Sequence, residues 1–533
     1  MIMENNNELL KGYNVHDSPM LDFYRGKSIF ITGGTGFLGK LFLEKLLRIN
    51  VKRIFVLSRP KKGLSNEERL DAIFTGPVFE TLQKTHSDFK SRVTIIDGDL
   101  QKLDLGMSVE NQRLVIESAE IVIHAAADVR FDQVIKTAVE TNVRGTRELC
   151  RLAEKIRNLM AIVYVSTAYS HCPKRDIEEK FYDAPSNPDN MIGLVENLDD
   201  ESEKLFNSVT NELIKPWPNT YVYTKALSED VVRKFGEKLP LSIVRPSIII
   251  ATVKDPLPGW TDNIYGLNGV IVGVSAGLIR IMYLKSSNVA DIIPADIVIN
   301  TVLAAGHKTY LERYNGNESV KGTTKIYNCV SGNDNPITYE NIYKYSIRAG
   351  VPIPPSKCLW QVAFNTTENK FIYWYCKVMY HFVPAFLIDI WLRIIGRTPR
   401  LWNLYKKVHK FSTVLEYFSM NTWKYDNTNM RELCNSLTPL DQELFLCDMK
   451  KLNWTDYFEL YMKGLRLYIN KDPEDTVPRA KTRYARLGYA HKLVLLVYYA
   501  FIGMLIYGFF KFSGLINVFK HIREYFKGFL RDF

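Results

Sequence analysis

Two side chains four residues apart carry the most chemical content in this chain: Tyr221 and Lys225, in Tyr221-Val222-Tyr223-Thr224-Lys225. On a helix that spacing puts both on one face. The helix-breaking Pro216-Trp217-Pro218-Asn219 just before them is a place for such a helix to begin. A lysine ammonium beside a phenol stabilises the phenolate and draws the tyrosine pKa down from about 10 toward working pH, as a general acid requires. Earlier in the chain an apolar run ends in Ser166-Thr167, and a hydroxyl there would hold a carbonyl oxygen. Tyr223 competes with Tyr221 but has no lysine four residues on.

Such a pair is common on amphipathic helices and takes its meaning from its company: residues 28–39, S-I-F-I-T-G-G-T-G-F-L-G, read as a dinucleotide site. A β-branched run ends in a G-x-x-G-x-x-G turn that opens an amphipathic helix. Gly33 permits the tight turn, Gly36 lets the backbone reach a pyrophosphate, and Gly39 lets helix pack close to strand. The helix N-terminus then offers free N–H groups to the phosphates. At the end of the next strand, 53–58, an NAD site would carry an acid for the ribose hydroxyls. Here Arg59, Pro60, Lys61 and Lys62 follow, with no acid until Glu67, a pattern that predicts NADPH. Asp99, at another strand end, reads either as a partner for the adenine amino group or as a helix N-cap.

These residues need a sheet to hold them. Apolar runs at 93–96, 121–125, 161–165 and 241–244 each end in a polar or Ala/Pro-rich turn, with helical segments such as 141–155 between them. Alternating strands and helices predict an α/β fold, a Rossmann-type doubly wound parallel sheet with ligands at the carboxyl ends of its strands.

With those motifs in view, the chain resembles the extended short-chain dehydrogenase/reductases, and within them the alcohol-forming fatty acyl-CoA reductases of insect type. The matching stretches are T-G-G-T-G-F-L-G (32–39), L-S-R-P-K-K-G (57–63), V-I-H-A-A-A-D-V-R-F (122–131), T-N-V-R-G-T (141–146), V-Y-V-S-T-A-Y-S (163–170), P-N-T-Y-V-Y-T-K-A-L-S-E (218–229) and I-V-R-P-S-I-I (243–249). Similarity resumes at F-S-M-N-T-W-K-Y-D-N-T-N (418–429) and L-N-W-T-D-Y-F (452–458). The resemblance implies Thr167, Tyr221 and Lys225 as catalytic residues, with Ser166 as the substitute for Thr167. It implies a coenzyme site of Gly33, Thr35, Gly36, Phe37, Leu38, Gly39, Arg59, Lys62, Asp99, Leu100, Ala125, Ala126, Asn142 and Pro246, together with Tyr221 and Lys225. The implied reaction takes long-chain fatty acyl-CoA through an aldehyde to a primary alcohol, with CoA released and no metal. The alternative is a membrane-bound dehydrogenase of a steroid-like secondary alcohol. His171 departs from the asparagine expected in many relatives and is read as altering substrate preference.

A net charge of +11 suits anionic partners, either a polyphosphate coenzyme or an anionic membrane; no nucleic-acid fold signature is present. Seven scattered cysteines without C-x-x-C fit reduced thiols and a cytosol-facing body. The polar N-terminus lacks a signal-peptide core, so the sequons at Asn317, Asn365 and Asn453 are expected to stay unmodified. Residues 269–278 are apolar and too short to span, either core or the lining of an acyl tunnel. Helical periodicity marks 371–395 and 401–418. The former contains Lys377, His381, Asp389 and Arg393, so it reads as an amphipathic helix, core-packed or lying on a membrane. Residues 493–510 are eighteen without charge, fenced by Lys492 and Lys511, and long enough for a thin bilayer such as the endoplasmic reticulum. The expected organisation is a tail (1–24), a coenzyme and substrate domain (25–355), a mainly helical C-terminal domain (356–475), a basic linker (476–492), a transmembrane helix (493–510) and a basic amphipathic tail (511–533). The last two make a tail anchor or a hairpin in the endoplasmic reticulum or peroxisomal membrane. Self-association into a homo-oligomer is left open.

Overall fold

The strands are apolar on successive residues because both faces of their sheet are covered. In the computed structural model, which describes residues 17–59, 63–86, 88–315, 323–512, 520–524 and 527, seven strands form one parallel sheet. They are β1 (Ser28–Thr32), β2 (Arg53–Ser58), β3 (Val93–Asp97), β4 (Ile121–His124), β5 (Ala161–Val165), β6 (Leu241–Pro246) and β7 (Lys325–Cys329), in the order β3-β2-β1-β4-β5-β6-β7. Alternate residues feed opposite cores, as the two-residue period of a strand requires. Ile29, Ile31, Ile54 and Val56 enter one cluster, and Phe30, Phe55, Leu57 and Val122 enter the other. The order of the strands reverses between β1 and β4, so a crevice opens at their carboxyl ends.

Three helices aim residues at that crevice. α1 (Phe37–Arg48) leaves the glycine turn after β1, and α2 (Asn66–Phe74) starts on a Ser65/Glu68 capping box beyond β2. α3 (Thr220–Gly236) carries Tyr221 and Lys225 and is started by Asn219, whose side chain accepts the N–H of Val222.

Several boundaries differ from those read in the sequence. Residues 19–24 are no tail: Pro19–Tyr24 is a helix capped by Ser18, with Met20, Leu21, Phe23 and Tyr24 buried in the main core. A six-residue helix is too short to announce itself by periodicity. Nor do residues 356–475 stand apart. Met430, Leu433, Trp454, Tyr457, Phe458, Tyr461 and Leu465 join the same core cluster as the sheet. Gly464 and Gly259 pack so closely that a side chain on either would strike the other segment's backbone.

The remaining helices form a more exposed layer. α4 (Lys370–Lys377) continues through a widened turn, Val378–Phe382, into α5 (Val383–Ile394), and α6 (Leu401–Met420) folds back on α5. The expected basic linker and membrane segment are one continuous helix, α7 (Val477–Phe512). Two helical stretches, Lys370–Ile394 and Glu474–Lys511, are long and apolar enough to cross a membrane. Most of the basic tail lies outside the described residues, as do Lys62 and Asn317.

Candidate active site

Tyr221 and Thr167 meet at the carboxyl ends of the central strands. Tyr221 opens α3, stacks on Phe131 at 5.8 Å, and has the Thr167 hydroxyl beside its phenol. Both line a cavity of about 340 Å³, within the usual size of ligand pockets. Tyr223 faces away into a separate apolar cluster, its hydroxyl 3.1 Å from that of Ser186.

Lys225 also lines the cavity, but its ammonium is anchored to β5. It donates to the Val165 carbonyl at 2.7 Å and the Tyr164 hydroxyl at 3.2 Å, and lies over the Tyr164 ring. Burial pulls the Lys225 pKa down to about 7, opposed by the charge of Glu229. Burial pushes Tyr221 up to about 12, against the pull of the Thr167 hydroxyl. The expected lowering of the Tyr221 pKa by Lys225 is therefore absent from this state: the phenol keeps its proton, and the lysine is held by strand β5.

Ser166 borders the cavity yet spends its hydroxyl on Glu229 Oε1 at 2.5 Å. Glu229 sits one turn beyond Lys225, also receives Ser170 and His171, and is clamped by Arg245 Nε and Nη2 at 3.0 and 2.6 Å. Arg245 holds the Glu229 carboxyl far below the ordinary range, outweighing burial. Of the two adjacent hydroxyls, Thr167 is the one that meets Tyr221. His171, read in the sequence as altering substrate preference, belongs to this buried network; its ring packs at a tilt against Tyr182 and does not border the cavity.

The other residues expected at a coenzyme divide into three groups. Leu38, Ala125 and Pro246 line the cavity. Gly33, Gly36 and Gly39 form the turn: Gly33 has φ +77°, and a Cβ there would lie 2.8 Å from the Ala126 nitrogen. A Cβ on Gly39 would lie 2.2 Å from the Gly33 carbonyl oxygen. Gly36 is the N-cap of α1 and no side chain caps it, so the first N–H groups remain available to an anion. The Phe37 ring packs on Trp260, and Leu100 lies against Gly145. Asn142 turns its amide to the Asp128 backbone and to Thr224 Oγ1, so it ties the loop after β4 to α3 and does not border the cavity. Asp99 accepts the Gln101 N–H within its own turn and lies 3.7 Å from Arg59.

One cation at the end of β2 escaped the sequence reading. Arg69, on α2, donates to Ser58 Oγ at 3.1 Å, to Thr35 Oγ1 at 3.2 Å and to the Arg59 carbonyl. Burial and the neighbouring Arg59 lower its pKa. Two guanidinium groups thus share one strand end. The available signal was an arginine facing back from the next helix, which only the βα geometry brings to Thr35. The turn, the uncapped helix and the paired arginines together fit a dinucleotide bearing an extra phosphate.

From the Tyr221 end the cavity runs on between apolar walls. Val270, Ile271 and Val274 line it from the segment read as core or tunnel, and Tyr343, Phe364 and Leu415 line it too. Its exposed rim includes Val129 and Tyr265. The arrangement can hold a carbonyl oxygen between a phenol and a hydroxyl, beside a dinucleotide groove, with a long apolar group attached.

Comparison with known proteins agrees with this geometry. Two family models described as male sterility protein match residues 31–302, the NAD-binding part, and 380–472. The chain is 39% identical to fatty acyl-CoA reductase wat of Drosophila melanogaster, over 93% of this chain and 94% of that protein. It is 37% identical to fatty acyl-CoA reductase 1 of Mus musculus, over 90% and 93%. Among solved structures, the terminal R domain of the myxalamid PKS-NRPS biosynthetic pathway shares the fold, with TM-score 0.54 and 18% identity over 84% of this chain and 93% of that one. The nucleotide groove is that of a nicotinamide coenzyme domain.

Proposed function

Because the chain belongs to the fatty acyl-CoA reductase family, we propose that it uses NADPH to reduce long-chain fatty acyl-CoA through an aldehyde to the primary alcohol, releasing CoA. The observation that carries this reading is that Tyr221, Thr167 and Lys225 line one cavity whose other walls are mostly apolar. The uncapped N-terminus of α1 and the glycine turn support binding of the pyrophosphate, and Arg59 with Arg69 supports binding of the 2′-phosphate.

NADPH, when bound, supplies a hydride to the carbonyl carbon in each of two reductions. In the first, Thr167 donates a hydrogen bond to the thioester oxygen and Tyr221 gives it a proton, leaving a hemithioacetal. The C–S bond then breaks as the hydroxyl returns its proton to the Tyr221 phenolate, CoA departs as its thiolate, and the aldehyde remains beside the same two hydroxyls. In the second, Tyr221 again protonates the oxygen and the primary alcohol results. Lys225, protonated, provides positive charge beside the phenol in the working complex. Asn142 keeps α3 in register with the loop after β4.

α7 is the membrane anchor in this reading: the uncharged stretch 493–510 spans about 27 Å at 1.5 Å per residue. The body faces the cytosol at the endoplasmic reticulum or peroxisomal membrane. The test supplies full-length protein in detergent with NADPH and a series of acyl-CoAs. NADPH oxidation that depends on acyl-CoA and releases thiol is expected. NADPH-linked turnover of a steroid-like ketone without thiol release would overturn the assignment.

A further inference from the structure

α4 and α5 expose one of the most apolar surfaces on the described chain. Phe371 is 73% exposed and Ile394 77%, and Trp374, Phe386, Leu387 and Trp391 lie open between them. Of the polar residues that disfavour a spanning helix in the sequence, His381 and Asp389 point the other way. His381, Ala385 and Asp389 form an i, i+4, i+8 stripe buried against α6. His381 accepts the Arg280 N–H and bonds His409, while Asp389 caps α6 by accepting the N–H groups of Arg400, Leu401 and Trp402. The outward face is left apolar and aromatic, the kind of contiguous exposed patch that marks an interaction surface.

The neighbouring helix rules out a spanning placement. α6 runs antiparallel to α5, with Tyr405 and His409 against His381, and Trp402 against Phe382 and Phe386. The exposed Lys406, Lys407 and Lys410 therefore lie level with the middle of Lys370–Ile394. Were that helix to cross a bilayer, three lysines would sit at its centre, where charge is least tolerated. Between residues 370 and 410 there are eight cations (Lys370, Lys377, Arg393, Arg397, Arg400, Lys406, Lys407 and Lys410) against one acid, Asp389. That excess matches an anionic lipid surface. A contact with α7 sets the depth. The phenols of Tyr375 and Tyr498 lie close to one another, and Tyr498 lies six residues past Lys492, about 9 Å along the helix. In-plane amphipathic helices reach about 5–10 Å below the headgroups.

We propose that α4 and α5 lie flat in the interface of an anionic bilayer, apolar face down, forming a second membrane contact beside α7. The C-terminal half of α6 supplies Leu415 and Phe418 to the cavity wall, so the docked layer is continuous with the acyl site. The proposal rests on the membrane reading of α7, which the same experiment reports separately.

The test places single cysteines at Phe371, Leu387, Trp391 and, in α7, Val497, in a Cys376→Ser background; the other six cysteines are buried. Each variant, checked for retained reductase activity, carries a bimane label in vesicles of phosphatidylcholine with phosphatidylserine. Quenching by lipids brominated near the carbonyl or near the methyl end reads depth. At 371, 387 and 391, several-fold stronger quenching from the carbonyl-proximal bromine is expected, and at 497 the reverse. Lys406→Gln with Lys407→Gln should weaken quenching at 387 in anionic vesicles only. No quenching at 371, 387 and 391 would overturn the proposal, as would deep quenching at 387 with shallow quenching at 371 and 391. Quenching at those three but not at 497 would uphold it and remove α7 as an anchor.

Discussion

Tyr221 and Tyr223 are two positions apart and face opposite ways, so they make a controlled pair. Tyr221→Phe removes the proposed proton donor and should lower kcat by about 10²–10⁴, whereas Tyr223→Phe loses only a hydrogen bond to Ser186 and should keep most activity; steady-state rates with the fold checked by circular dichroism decide it. Lys225 gives a pH signature. Its pKa is lowered to about 7 by burial, so the protonated form is lost as pH rises through that value. The kcat/KM profile, which reports the free enzyme, should therefore fall on the alkaline side from near pH 7; a flat profile up to pH 9 would contradict a cationic role. Glu229 shows what the sequence could not convey. Tyr221, Lys225 and Thr167 were legible because their chemistry lies in local spacing. Ser166 could not be separated from Thr167 until Glu229, brought to it by α3, was seen to hold its hydroxyl. Removing one partner of a buried ion pair costs about 3–5 kcal/mol, so Glu229→Gln should lower the thermal midpoint markedly by stranding Arg245. Because the folded carboxyl is depressed, that stabilisation is present above the unfolded carboxylate pKa and lost in acid. The variant's deficit should shrink as pH falls.

Elements were legible where hydrophobic pattern and turn chemistry agree. The first six strands appear in the sequence as β-branched runs ending in polar or small residues, and each occurs where the pattern put it. β7 went unread as a sheet edge, since Lys325–Cys329 is a short run whose partner, β6, is remote in sequence. Pro19–Tyr24 was lost to its brevity, and the basic linker to composition: lysines and arginines do not stop a helix, and α7 runs through them. At the βα unit β2–α2, the sequence offered Arg59, which is 62% exposed and near Asp99; the fold adds Arg69 from the helix that follows. If both hold a 2′-phosphate, Arg59→Ala and Arg69→Ala should each raise the KM for NADPH by a charged hydrogen bond of about 1.5–3 kcal/mol and leave that for NADH nearly unchanged. Equal effects on both coenzymes would remove the assignment.

At the scale of the whole molecule, the segment from Met430 to Leu465 fills the same core as the sheet. Its aromatic richness was visible in the sequence, but not its merger with that core, because Tyr457 reaches the Ala251 carbonyl across two hundred residues. The C-terminal layer thereby closes the acyl cavity and carries the apolar helices, so cavity and membrane face belong to one body. The proposed cytosolic orientation predicts no glycan at Asn365 or Asn453, an exposed strand residue and an exposed helix cap; a mobility shift on endoglycosidase treatment of protein from a eukaryotic membrane fraction would reverse the topology. The central claim is that one site performs two successive reductions of a thioester. Its most direct measurement is the ratio of NADPH consumed to CoA thiol released, with a long-chain acyl-CoA limiting and the product analysed. The account predicts twice as much NADPH as thiol and a primary alcohol. An equal ratio with aldehyde as the end product, or NADPH oxidation without thiol, would contradict it.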